Sequence, residues 1–271
     1  MITFPNAKIN LGLNIVERRQ DGYHNIETVF YPISLCDILE VVPSATNDYT
    51  LYSSGIAVDA LAENNLITKA YRLLQAEFNL LAVDVYFEKI IPFGAGLGGG
   101  SADSAFMLKM LNEIFELKLS DATLENYASR LGADCPFFIQ NKPIFASGIG
   151  NIFDDINISL KGYYIVLIKP NIYVSTADAY AGVKPQKSAF SLFETIQEKP
   201  ISEWKNRVVN DFEKTVFLKF PEIEKIKEKL YTEGAIYASM SGSGSSVYGI
   251  FEKETELKEM FLDCFVWSGK L

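Results

Sequence analysis

Apolar residues recur at helical spacing in some stretches of the chain and crowd into strand-length runs in others. Residues 83–91 (VDVYFEKII) are rich in β-branched and aromatic types and have the length of a strand. Ala105, Leu108, Leu111 and Phe115 follow at a spacing that predicts a helix over 101–117. Upstream, polar and apolar positions alternate from Ala7 to Ile15, strands are predicted at 28–33 and 38–42, and a helix at 65–78. A second helix at 122–130, marked by Leu124, Tyr127, Ala128 and Leu131, stops near Gly132, and Pro136 prevents its continuation. Residues 133–135 therefore form a turn, and Cys135, preceding proline, is biased toward extended backbone.

Strand signals return at 143–146 and strongly at 163–168 (YYIVLI). Residues 184–200 hold two prolines and little period, which predicts an irregular connection with a short helix. A helix at 222–231 and a strand at 247–251 flank a glycine-rich segment, 239–246 (SMSGSGSS). The polar stretch 151–161 is the best place for a boundary, giving domains at 1–155 and 156–271. The expected class is α+β, with two layered halves sharing a cleft.

Between the strand at 83–91 and its helix lies Pro92-Phe-Gly-Ala-Gly-Leu-Gly-Gly-Gly-Ser-Ala-Asp-Ser-Ala105, with five glycines in seven positions. Without Cβ atoms such a loop can curl around an anion, and the unpaired N–H groups and dipole of a helix start favour negative charge there. Ser101 and Asp103 stand where capping oxygens are expected. The pattern G-x-x-x-x-G-K-[ST] fits residues 94–101 except that Gly100 stands where the phosphate-binding lysine is required, so this is not a P-loop. Gly94, Gly96 and Gly99 meet G-x-G-x-x-G, but a helical pattern follows where a dinucleotide fold needs a strand carrying an acidic residue. The loop therefore points to a phosphorylated ligand of another kind.

Composition narrows the class. The chain has 271 residues, enough for one large domain or two ordinary ones, and no apolar run approaches the roughly 20 residues that cross a bilayer. The N-terminus lacks the basic-then-apolar order of a signal peptide, which reads as cytoplasmic. Cys36, Cys135 and Cys264 are odd in number and far apart, as reduced thiols would be, and a single histidine speaks against zinc. With 25 basic against 34 acidic residues, a net charge of −9 argues against nucleic acid or anionic membrane as the main partner. A small anionic substrate stays compatible, because local charges decide the potential inside a cleft.

Phosphoryl transfer asks a protein mainly for positioning and charge stabilisation, so a lysine and a carboxylate suffice. Lys8, in PNAKIN, lies between apolar neighbours. Periodicity places it on a solvated strand edge, while chemistry offers it as a partner for developing negative charge. Asp134, in the turn before Pro136, reads either as a local hydrogen-bonding residue or as a base for a hydroxyl proton. Tyr23 and the only histidine, His24, offer a stacking face and a hydrogen-bonding edge to a planar base. Gly242 and Ser243 suit backbone contact to another phosphate.

Together PNAKINL at 5–11, the loop 92–105 and MSGSGS at 240–245 resemble the three ordered motifs of the GHMP kinase superfamily. Within it, RQDGYH at 19–24, LGADCP at 131–136 and NDFE at 210–213 resemble the branch whose acceptor is a methylerythritol carried on cytidine diphosphate. The resemblance implies ATP as co-substrate with Mg²⁺, transfer of the γ-phosphate to the 2-hydroxyl, and a place in the non-mevalonate route to isoprenoids. It implies a GHMP kinase fold, with an N-terminal domain like ribosomal protein S5 domain 2 and a ferredoxin-like C-terminal domain. Lys8 and Asp134 would be the catalytic pair, with Asp134 as general base and Lys8 orienting and stabilising charge. ATP would be held by Asn65, Pro92, Phe93, Gly94, Ala95, Gly96, Leu97, Gly98, Gly99, Gly100, Ser101 and Ala102. The cytidine-diphosphate substrate would be held by Asn10, Tyr23, His24, Thr176, Tyr180, Gly242 and Ser243, with Tyr180 stacking on the far face of cytosine. Ala102 stands where the family often has serine, and Ser104 where it often has alanine, which leaves the Mg²⁺ ligands unassigned. A homoserine- or mevalonate-type kinase of the superfamily, or a non-catalytic nucleotide binder, is the competing reading.

Overall fold

In the computed structural model, which describes residues 1–57 and 62–271, the elements run in the following order. β1 (Ile2–Thr3), β2 (Asn6–Arg18), β3 (His24–Cys36), β4 (Ile38–Pro43) and β5 (Thr50–Gly55) come first, then α1 (Leu66–Phe78), β6 (Val83–Lys89), α2 (Gly99–Ile114), α3 (Asp121–Ser129) and α4 (Phe137–Gln140). β7 (Ile144–Ser147), β8 (Ile152–Asp155), β9 (Tyr164–Pro170), α5 (Thr176–Ala181), α6 (Leu192–Glu198), α7 (Phe212–Lys219), α8 (Pro221–Thr232), β10 (Tyr237–Met240), β11 (Val247–Phe251) and β12 (Cys264–Lys270) complete the chain. Contacts divide it into two units, each assembled from three stretches. Unit 1 is Met1–Ala7, Leu35–Phe93 and Gly98–Lys142; unit 2 is Lys8–Ser34, Gly94–Leu97 and Pro143–Leu271.

Unit 1 holds a four-stranded sheet in the order β1-β4-β6-β5, antiparallel except for the parallel pair β5 and β6. Val83, Val85 and Phe87 alternate inward along β6, and Lys89 takes the next inward position. The strand stops at Lys89 rather than at 91 because the Asp37 carboxylate takes the N–H groups of Ile90 and Ile91 (2.6 and 2.8 Å) that a longer ladder would need. α1 opens at Asn65, whose side-chain oxygen accepts the Ile67 N–H at 2.9 Å.

Unit 2 holds two four-stranded sheets, β2-β3-β7-β8 and β10-β11-β9-β12. The second is antiparallel throughout. Counted within itself, its order is 2-3-1-4, the ferredoxin-like arrangement, with α7 and α8 between its first two strands. The second connecting helix of that arrangement is reduced here to a single 3₁₀ turn, Lys258–Met260. Leu13, Ile15, Val166, Ile168, Phe212, Ile223, Leu230, Met240 and Val247 share its core. The polar stretch 151–161 opens with β8, which pairs with β7. Among the described residues no helix is long and apolar enough to cross a membrane.

Candidate active site

β2 is buried without interruption from Ala7 to Ile15, so the alternation expected of a half-exposed strand is absent. The solvated-edge reading of Lys8 is thereby overturned: Lys8 is 3% exposed. Its ammonium donates to Asn10 Oδ1 at 2.7 Å and to the Gly96 carbonyl at 3.2 Å, and stands 4.9 Å from the centre of the Phe30 ring. The Lys8 backbone N–H donates to the Leu97 carbonyl at 2.9 Å. Asn10 is fixed in turn, its amide donating to Thr28 Oγ1 at 2.9 Å while the Thr28 hydroxyl donates to the Gly12 carbonyl at 2.6 Å. A buried cation with this many fixed partners needs no reorganisation to face a developing negative charge.

The same cluster takes in both glycine-rich segments. Ser241 Oγ donates to the Gly96 carbonyl at 2.8 Å and accepts the Asn10 N–H at 3.2 Å. Gly96 has φ +73°, and a Cβ on it would lie 1.9 Å from the Ser241 carbonyl oxygen, so no larger residue fits. Gly242 has φ +55° and comes close to Asn10 Oδ1. Among the described residues the N–H groups of Gly242 and Ser243 make no hydrogen bond, and Ser243 Oγ lies 3.4 Å from Thr176 Oγ1. Unit 2 thus brings Lys8, Asn10, Thr176, Gly96, Gly242 and Ser243 to one polar region.

Unit 1 carries the other half of the loop. α2 begins at Gly99 behind Gly98 in the left-handed region, and no side chain caps it. The expectation that Ser101 and Asp103 cap this helix is wrong, because both lie inside it and Asp103 is buried and turned to Lys89. Among the described residues the first-turn N–H groups of Gly99, Gly100 and Ser101 make no hydrogen bond, which is the arrangement of donors that suits an anion. Lys89 Nζ joins Asp37 Oδ2 (2.5 Å) to Asp103 Oδ2 (2.9 Å), and all three side chains are buried. Burial pushes the Asp103 carboxyl well above its usual range; the Lys89 charge opposes this and the Asp37 charge adds to it. The clamp ties the strand end before the loop to the second turn of the helix after it.

Asp134 stands half-exposed in the turn before α4. The next residue, Cys135, is fully buried with its sulfur 3.3 Å from Ser104 Oγ on α2, which sets this turn beside that helix. Burial raises the Cys135 thiol and keeps it protonated.

The Asp21 to His24 segment forms the tip between β2 and β3. Arg19 bridges to Asp21, whose Oδ1 accepts the Tyr23 N–H at 3.1 Å, and the Arg19 N–H donates to the Tyr23 carbonyl at 2.8 Å. Tyr23 is left 62% exposed. His24 and Tyr180 stack directly, centroids 4.7 Å apart and 18° from parallel, and Phe212 meets Tyr180 edge-on. A base between His24 and Tyr180 would need about twice one stacking spacing, so in this structure Tyr180 covers the imidazole itself rather than facing it across a base. Burial, helped by the Arg18 charge, lowers the His24 pKa and leaves a neutral ring with one donor and one acceptor nitrogen.

Sequence reasoning missed Thr28, Ser241, Asp37 and Lys89. None has a local signal: Lys89 reads as an ordinary strand-end lysine, and the partners of Ser241 lie 145 and 231 positions away.

The model of the GHMP kinases N terminal domain matches residues 65–142, and that of the GHMP kinases C terminal domain matches residues 192–263. A 4-diphosphocytidyl-2-C-methyl-D-erythritol kinase of Bacteroides fragilis is 59% identical over 96% of this chain and 95% of its own length. Another, of Parabacteroides distasonis, is 55% identical over 100% of both. A crystal structure of a 4-(cytidine 5'-diphospho)-2C-methyl-D-erythritol kinase superposes with a TM-score of 0.84 at 30% identity, covering 99% of this chain and 98% of that one. Methanococcus jannaschii mevalonate kinase gives 0.75 at 14% identity over 99% and 97%, a likeness of fold alone.

Proposed function

The chain belongs to the GHMP kinase family, and from that membership we propose that it transfers the γ-phosphate of ATP to the 2-hydroxyl of 4-diphosphocytidyl-2-C-methyl-D-erythritol. The observation that carries this reading is the environment of Lys8: a buried ammonium bonded to Asn10 and to the Gly96 carbonyl of the glycine loop, beside the second glycine segment. In the reaction the acceptor hydroxyl loses its proton to Asp134 as its oxygen bonds to the γ-phosphorus. The bond from that phosphorus to the β,γ-bridging oxygen breaks, and ADP leaves with the electron pair. Lys8 orients the hydroxyl and stabilises the charge that develops on it. The open N–H groups of residues 99–101 receive ATP phosphate oxygens, with the rest of 92–102 lining the nucleotide and Asn65 near the base.

Cytosine stacks on the exposed Tyr23 ring and reads the neutral edge of His24, while Tyr180 holds that imidazole in place. Asn10 and Thr176 contact the acceptor, and the N–H groups of Gly242 and Ser243 take its phosphate oxygens. Mg²⁺ would enter with ATP, held by its phosphate oxygens. When bound it neutralises phosphate charge.

An acceptor competition tests the reading. Purified protein is given ATP with the cytidylyl substrate, homoserine or mevalonate, and phosphate transfer is followed by ³¹P NMR. Transfer to the first alone is expected; preference for either of the others overturns the assignment.

A further inference from the structure

The segment Asn210-Asp-Phe-Glu213 has no part in the chemistry above, yet its side chains hold the second glycine segment from behind. Asn210 is 2% exposed. Its amide nitrogen donates to the Met240 carbonyl and to the Gly242 carbonyl, both at 2.8 Å, and its oxygen accepts the Phe212 N–H at 3.0 Å. Glu213 Oε1 accepts the Met240 N–H at 2.9 Å and the Ser239 hydroxyl at 3.2 Å. The backbone on both sides of Asn210 is tied to β2: the Leu13 N–H donates to the Val209 carbonyl, and the Asp211 N–H to the Leu13 carbonyl, each at 2.8 Å. β2 is the strand that bears Lys8 and Asn10.

We infer that Asn210 is a positioning residue for substrate phosphate, acting through the Gly242 to Ser243 peptide. In a trans peptide the C=O and the next N–H point in opposite directions. Fixing the Gly242 carbonyl toward Asn210 therefore aims the Ser243 N–H away from it, and that N–H makes no hydrogen bond among the described residues. The other Asn210 bond fixes the preceding Met240 carbonyl, where β10 ends, so the turn is held at two carbonyls by one rigid amide. Only asparagine serves here. Aspartate would keep the bond from Phe212 but set a carboxylate oxygen against two carbonyl oxygens, and glutamine is one methylene too long for the space. Because β2 fixes Asn210, the donor it aims is registered to the strand that carries Lys8. The ligand such N–H donors favour is an anionic oxygen, as the diphosphate of the proposed substrate supplies.

The inference rests on the proposed substrate, so the test separates the two. Binding of CDP and of cytidine to the full chain is measured by calorimetry, and the KM for ATP by steady-state kinetics, in wild type, Asn210→Asp and Asn210→Ala. Asn210→Ala removes the amide without adding charge and carries the test where the aspartate variant does not fold. The expected result is a loss of at least tenfold in CDP affinity, with cytidine affinity and the ATP KM within twofold of wild type. CDP affinity unchanged in a folded variant, or CDP, cytidine and ATP all weakening together, overturns the positioning role. A wild-type chain that binds neither CDP nor cytidine overturns instead the substrate reading on which it rests.

Discussion

Ser241 donates its hydroxyl hydrogen to the carbonyl of Gly96 at 2.8 Å, and this one bond joins the loop of the N-terminal half to a turn 145 positions later. The approach is so close that a methyl group on Gly96 would meet the Ser241 carbonyl oxygen, and φ at Gly96 already lies in the left-handed region. Gly96→Ala is expected to push the loop off this turn and lower kcat/KM by roughly 100-fold, the effect of about an ångström of misplacement. Steady-state kinetics alongside circular dichroism checks this; a folded variant with wild-type kcat/KM would show that the contact is dispensable.

Lys8→Ala and Asp134→Asn are expected to cut turnover by about 10²–10⁴-fold each while leaving ATP affinity within a few-fold of wild type. Single-turnover rates and fluorescent-ATP titration separate the two quantities. Unchanged turnover in either variant removes that residue from the catalytic pair.

Lys89 links two buried carboxylates, and its removal leaves both without their cation. Lys89→Met should destabilise the fold by about 3–5 kcal/mol in denaturant unfolding. Adding Asp103→Leu to it should recover part of the loss, because one buried polar group left without its partner then disappears as well. If the double variant is no more stable than Lys89→Met, the clamp is not the source of the cost.

Asp103 also predicts a pH dependence. Its folded pKa lies above the unfolded value, chiefly through burial, so the native state holds the proton more tightly. That contribution is complete below the unfolded pKa of about 3.9 and is lost as pH rises through the folded value. Unfolding free energies measured between pH 4 and pH 8 should therefore fall more with rising pH in wild type than in Asp103→Asn, whose amide cannot titrate. Parallel curves for the two proteins count against the shifted carboxyl.

Tyr23 presents most of its ring to solvent, so Tyr23→Ala should leave the melting temperature within about a degree. The KM for the cytidylyl substrate should rise about tenfold, as expected for loss of one base–aromatic stack of about 1–3 kcal/mol. An effect confined to the KM for ATP would place the ring at the other ligand.

Local pattern was enough for elements whose signals are local. The helical spacing of Ala105, Leu108 and Leu111, the helix expected at 222–231 and the β-branched run of β9 all lie where the residues say. Gly100 excluded a P-loop by its identity alone. Lys8 was misread because its strand is buried along its whole middle, which erases the alternation that tells inside from outside. The capping oxygens assigned to Ser101 and Asp103 failed because the helix starts two residues earlier than its apolar spacing shows, at Gly99, which puts both residues inside it. Asp37, Lys89 and Ser241 were illegible because a buried ion pair or a hydroxyl bonded across more than a hundred positions leaves no period behind.

Asn10 gives its N–H to Ser241 and receives the Tyr248 hydroxyl on its carbonyl, partners 231 and 238 positions downstream. Translation delivers β2, the strand that carries Lys8, early and these two partners of Asn10 nearly last. A nascent chain stalled before β10 holds Lys8, Asp134 and residues 92–102 but lacks both Ser241 and Tyr248. The groups that order β2 around Asn10 are thus among the last that the ribosome adds to the chain.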